Sequence, residues 1–235
     1  MSTEFIPERA LAITPHPDDA EIGAGGTLSK WMSAGTEVTL VVCTNGDKGS
    51  ADPEMTSPRL TAIREKEQRA SAAFLGFKEV VFLGHPDGEI DDTREFRGDL
   101  VREVRRSKPD VVLTCDPFRR TFYLHRDHRI TGQVAIDAVF PYARDHLSYP
   151  EHKELGLEPH KTAKLYLWAS DEPDTQVDIG DFLQVKIEAL KHFKSQIAAE
   201  REAELTKYLV ESATKAGEAK GMKAAEAFRV IEMRG

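Results

Sequence analysis

Two cysteines in 235 residues are too few for a disulfide-built scaffold, and both sit in apolar strand-like runs, Cys43 in "EVTLVVCT" and Cys115 in "DVVLTCDP". They read as reduced core thiols, as expected of a cytoplasmic protein. No stretch approaches the roughly 18 apolar residues of a membrane span. The N-terminal "MSTEFIPERA" lacks the apolar core of a secretory signal. Positive charge is also short. Lys and Arg number 32 against 40 Asp and Glu, and the net charge of −8 argues against a general nucleic-acid binder. A dinucleotide-binding turn is missing too, because "GAGGTL" puts Leu28 where that pattern needs glycine, and Asp18, Asp19 and Glu21 would repel a phosphate.

What the chain does have is alternation. "ALAITP", "EVTLVVCT", "EVVFLG" and "DVVLTCDP" are apolar on both faces, as buried parallel strands must be. Helical stretches separate them. "TLSKWMSAG" places Leu28, Trp31 and Met32 on one face, with Gly35 as its C-cap. A second helix runs from near Pro58 to Gly76, with Leu60, Ile63, Ala70 and Phe74 as its apolar stripe. A third carries Phe96, Leu100, Val101 and Val104. Strand–helix–strand repeats of this kind predict an α/β fold: a Rossmann-like, doubly wound, mostly parallel sheet with helices on both faces.

Farther along, "RITGQVAIDAVFPYARDH" reads as a helix ending near Pro141 and "KLYLWAS" as a strand. "DFLQVKIEALKHFKSQIAAEREAEL" reads as one long amphipathic helix, and "AAEAFRVIEM" as a short helix followed by a strand. No repeat or linker interrupts the chain, so residues 1–235 are expected to form one domain.

In such a sheet, ligands bind beyond the C-terminal ends of the strands. Three polar clusters fall there: "HPDD" (16–19), "TNGDKGS" (44–50) and "HRDH" (125–128). Adjacent carboxylates repel each other, so Asp18 and Asp19 need something to compensate them. A divalent cation does so when one histidine and one aspartate of "HPDD" join one histidine of "HRDH". The second carboxylate then stays free to accept a proton. Spacing alone does not say which aspartate does which. Gly23, Gly25 and Gly26 are expected to let the backbone turn tightly against a ligand.

Taken together, "HPDDAEIGAGGTL", "TNGDKGS", "REKEQRASAAFLGF", "FLGHPDGEI", "KPDVVLTCDP" and "HRDHR" resemble the PIG-L/LmbE-like zinc-dependent de-N-acetylases, in that family's order. The resemblance implies that His16, Asp19 and His128 bind Zn2+, although Fe2+ or manganese would tolerate the same ligands. It implies that Asp18 is the general base and that His125 donates to the oxygen that becomes charged, with Asp127 orienting His125. It further implies substrate contacts from Arg64, Asp47 and Asp87, and a small-molecule N-acetylated amino sugar as partner. Relatives suggest a homo-oligomer, trimer or hexamer. An amidase acting on a thiol–sugar conjugate, or a metal- or sugar-binding module without turnover, would use the same motifs. His85, in a Pro-Asp-Gly turn, is taken as structural. Leu124 stands where some relatives carry an arginine, with Arg119, Arg120 and Arg126 nearby to replace it. Phe122 and Tyr123 are placed to form a stacking wall.

Overall fold

A computed structural model describes residues 5–121 and 123–233. Seven strands form one sheet, in the order β3-β2-β1-β4-β5-β7-β6. The predicted strands are β1 (Arg9–Thr14), β2 (Glu37–Thr44), β3 (Glu79–His85), β4 (Val111–Cys115) and β5 (Lys164–Trp168). All five pair in parallel, whereas β6 (Thr175–Asp178) and β7 (Ala225–Glu232) are antiparallel. The helices are α1 (Asp19–Ser33), α2 (Ser57–Leu75), α3 (Arg94–Ser107), α4 (Arg126–Val139), α5 (Leu183–Leu190) and α6 (Glu202–Glu218).

Strand alternation divides the core between the two faces. Ala10 and Ala12 of β1 join Ala24, Leu28 and Trp31 of α1 on one side. Leu11 and Ile13 join Leu100 and Val104 of α3 and Val134 of α4 on the other. Each large aliphatic side chain buried in this way contributes about 1.5–3 kcal/mol of transfer free energy. Cys43 and Cys115 are buried and free.

Several expectations are corrected. β3 is an edge strand and only half-buried, so "EVVFLG" is not covered on both faces. The inward face of α2 is Leu60, Arg64, Gln68, Ser71 and Ala72, while Phe74 is 48% exposed. That helix therefore turns a largely polar stripe inward. The long C-terminal helix is broken between α5 and α6, where Ser195 donates both its backbone N–H (2.8 Å) and its hydroxyl (2.6 Å) to Glu67 of α2. "AAEAFRVIEM" contains strand β7 and no helix, and β6 escaped the sequence reading altogether.

The glycines after "HPDD" also have a different purpose. All three lie inside α1, which begins at Asp19, eight residues before Thr27. A Cβ on Gly23 would sit 2.5 Å from the Trp168 ring, and one on Gly26 would sit 2.8 Å from Ile179. Close helix packing, rather than ligand approach, explains them. In the same turns the Glu226 carboxylate accepts the N–H groups of Gly26 (3.0 Å) and Thr27 (2.7 Å). Lys186 donates to the Ile22 carbonyl (2.7 Å) and to Glu226 (2.6 Å). Gly23→Ala should therefore destabilise the protein by about 1–3 kcal/mol despite alanine's better helix propensity, read as a lower urea midpoint.

Candidate active site

The sheet order reverses between β1 and β4, and at such a switch point the loops leaving the two strands part to open a crevice. The loop after β1 delivers His16, Asp18 and Asp19. The longer loop after β4 delivers His125, Asp127 and His128 at the start of α4. Residues more than a hundred positions apart meet there because of topology.

The hub is Asp19 Oδ2. It accepts the backbone N–H of His16 at 3.0 Å and lies 3.1 Å from His16 Nδ1 and 3.3 Å from His128 Nε2. Donor atoms of His16, Asp19 and His128 all fall within 4.8 Å of one another. The other ring nitrogen of His16 lies 3.1 Å from Asp87 and 3.2 Å from Asp127. Asp127 also accepts the Gly88 N–H at 2.7 Å. The expected contact from the Asp127 carboxylate to His125 is thus replaced by one to His16.

The residues fit a divalent cation. His128 Nε2 is buried without a hydrogen-bond partner, although it faces the Asp19 carboxylate. Asp18, Asp19, Asp87 and Asp127 surround two imidazoles and one guanidinium, an excess of negative charge that a cation offsets. Without it, protons do that work. Burial opposes charge on His16, but its hydrogen bonds to the Asp127, Asp19 and Asp87 carboxylates outweigh it and push the ring up to about 12. Burial likewise opposes charge on His128, and the Asp19 carboxylate overrides it, to about 9. Asp19 is held below the ordinary carboxylate range, its burial outweighed by His128 and His16.

Asp18 behaves in the opposite way. Burial and the neighbouring Asp19 charge push its carboxyl up to about 8, against the pull of Arg64. It occupies the N-cap position of α1, yet its side chain caps nothing. Its nearest cation is Arg64 Nη2, at 3.8 Å. Held by that one long ion pair and by no capping hydrogen bond, the carboxylate remains available for a proton.

His125 caps α4. Its Nδ1 accepts the Asp127 N–H at 3.2 Å, so the neutral ring carries its proton on Nε2. Burial and the nearby His16 charge lower its pKa, which keeps the ring neutral and Nε2 a donor. Arg64 is 5% exposed and donates to the carbonyls of Pro17 (3.0 Å) and Gly46 (3.3 Å). Asp47 accepts the Asp87 N–H at 3.2 Å and pairs with Lys48. His85 meets Asp99 and packs edge-on against Phe96, away from the cluster. The Tyr123 ring stacks on His125 at 5.9 Å, while Phe122 lies outside the described residues. Arg126 pairs with Asp91 and Arg120 with Glu172.

Gln68 and Glu21 were missed. Both are fully buried beside Asp18 and hydrogen-bonded to each other at 2.7 Å. The signal was the polar i, i+4, i+7 spacing of Arg64, Gln68 and Ser71, which a solvated helix face shows equally well.

Comparison with known proteins gives the chain its family. The chain is 32% identical over 224 residues to the diacetylchitobiose deacetylase of Thermococcus kodakarensis, covering 95% of this chain and 83% of that one. It is 30% identical to a mycothiol S-conjugate amidase of Streptomyces coelicolor, covering 72% of this chain and 63% of that protein's length. The structure of an inhibitor-bound N,N'-diacetylchitobiose deacetylase from Pyrococcus horikoshii superposes with a TM-score of 0.91 at 33% identity, covering 96% of this chain and 84% of that one. The family description for GlcNAc-PI de-N-acetylase (PIG-L) matches residues 11–139, the stretch that carries every residue of the cluster, and the chain belongs to that family.

Proposed function

We propose that the chain is a zinc-dependent hydrolase that removes the N-acetyl group from an N-acetylglucosamine-containing sugar or glycoside. The single observation carrying this reading is a second carboxylate, Asp18, that caps no helix and stays outside the His16–Asp19–His128 cluster beside it. A binding module without turnover has no use for it. His16, Asp19 and His128 are the residues that would hold the ion, and Asp87 and Asp127 orient His16. When bound, zinc supplies Lewis acidity and acidifies water to a pKa of about 7.

The chain's own groups then divide the work. Asp18 takes a proton from the attacking water, whose oxygen bonds to the acetyl carbonyl carbon. His125 Nε2–H donates to the carbonyl oxygen as it gains charge. The C–N bond breaks, and Asp18 passes its proton to the departing nitrogen, leaving acetate and a free amine. The resemblance assigns Arg64, Asp87 and Asp47 to the sugar hydroxyls. The same machinery would cut an amide in a thiol–sugar conjugate. The near-full-length similarity to a diacetylchitobiose deacetylase favours the acetylated sugar.

The test is amine and acetate release from N-acetylglucosamine and N,N'-diacetylchitobiose, before and after chelation. Release should stop on chelation and return with zinc; release indifferent to chelator removes the ion from the account. His125→Ala should keep its metal and lower kcat by about 10²- to 10³-fold, the scale of a lost oxyanion donor. Among the described residues no helix is long and apolar enough to cross a membrane. The two free, buried cysteines support a cytoplasmic setting, and the resemblance a trimeric or hexameric assembly, for fractionation and sedimentation to test.

A further inference from the structure

Asp18 has an unusual backbone for an aspartate at a helix start. Its φ of 89° lies in the left-handed region, which costs a non-glycine residue about 1–2 kcal/mol unless neighbours hold it there. The preceding peptide unit is gripped at both ends by one helix. Arg64 Nη2 donates to its carbonyl, that of Pro17, at 3.0 Å, and Gln68 Oε1 accepts its N–H, that of Asp18, at 3.1 Å. The two side chains stand one turn apart on α2.

Gln68 is itself fixed. It is fully buried, and its Nε2 donates to Glu21 Oε1 at 2.7 Å. The same Glu21 oxygen accepts the Ser71 hydroxyl at 2.8 Å. Since the amide nitrogen of Gln68 is committed to Glu21, its oxygen must face Asp18. Glu21 thereby sets which end of the amide points at the peptide. Glu21 lies on α1 and Gln68 and Ser71 on α2, so the network also holds the two helices in register.

We infer that Gln68, oriented by Glu21, is a positioning residue: with Arg64 it clamps the Pro17–Asp18 peptide and so aims the Asp18 carboxylate at the reacting centre. The hydrogen bonds of Gln68 go to the Asp18 N–H and to Glu21, not to a metal ligand or to the Asp18 carboxylate. It acts through the backbone of the residue that takes the proton, and a carboxylate displaced by an ångström loses about 10²-fold in rate.

This inference rests on the proposed hydrolase reading and is tested by Gln68→Met and Gln68→Glu in the zinc-loaded protein. Methionine fills the volume but cannot accept the Asp18 N–H. Glutamate presents an oxygen to the same N–H and shares one proton with Glu21. The expected result for Gln68→Met is unchanged zinc stoichiometry, KM within about threefold, kcat lowered about 10- to 100-fold, and Asp18 out of the left-handed region in a crystal structure of the variant. Gln68→Glu should recover most of kcat and keep Asp18 left-handed. An unaltered kcat in Gln68→Met overturns the inference, as does Asp18 remaining at positive φ in that variant. Should the wild type release no amine from acetylated sugars, the hydrolase reading fails. The crystal structure of Gln68→Met still decides the clamp.

Discussion

Asp18→Ala is expected to keep one zinc ion per chain while kcat falls by about 10²- to 10⁴-fold, the scale of a lost general base. The two halves of that result separate the adjacent aspartates. Asp19 makes every contact to the paired imidazoles, with its Oδ2 3.1 Å from His16 and 3.3 Å from His128. Asp18 makes none of them, and its carboxyl is the one that burial and the Asp19 charge push up to about 8. The sign of the pH effect follows. A base must be ionised to accept a proton, so the rate falls as pH drops through the Asp18 pKa. A cation on Asp19 removes part of the repulsion, so the acid limb of the loaded enzyme should lie below 8 and be absent from the residual activity of Asp18→Asn. Metal analysis and a kcat–pH profile check both. Loss of zinc from Asp18→Ala would exchange the roles of the two aspartates.

His128→Ala should abolish stoichiometric zinc binding, an effect larger than the roughly 10- to 100-fold cost of removing an outer partner such as Asp127. In the wild type, affinity should rise steeply with pH. His16, raised to about 12, and His128, raised to about 9, are both protonated near neutrality, whereas Asp19 is already ionised. Each ion must therefore displace about two protons, and the apparent Kd should tighten up to about 100-fold per pH unit between pH 6 and 8. Calorimetry in buffers of different ionisation enthalpy counts those protons. Binding without proton release would mean that the Asp19 pairing does not hold the two imidazoles protonated in the metal-free protein.

The cluster was legible because its chemistry is written in residue types at strand ends. "HPDD" and "HRDH" follow β1 and β4, and a parallel sheet with its reversal there brings them together whatever the loops do. The pairing within the cluster was not legible. Asp127 sits two residues from His125, so sequence proximity joined them, but the geometry at the start of α4 turns its carboxylate to His16 and leaves only its N–H for His125. Gln68 was hidden for a similar reason. Inside "REKEQR" it looks like one more solvated polar residue, and only the approach of α2 to the Asp18 peptide buries it. The glycines of α1 misled because glycine in a motif suggests a turn, whereas Trp168 and Ile179, far along the chain, are what require its small size. Strand β6 and the break between α5 and α6 depend on distant partners, β7 and Glu67, and no local pattern encodes them.

The central claim is that His16, Asp19 and His128 hold one ion next to Asp18, which stays unbonded to it. Anomalous diffraction at the zinc edge from zinc-loaded crystals tests it most directly. The account predicts a single strong peak at about 2.0–2.2 Å from one atom of each of the three residues, with Asp18 and His125 unbonded to it. A peak elsewhere, or a fourth protein ligand from Asp18 or His125 closing the site, would contradict it.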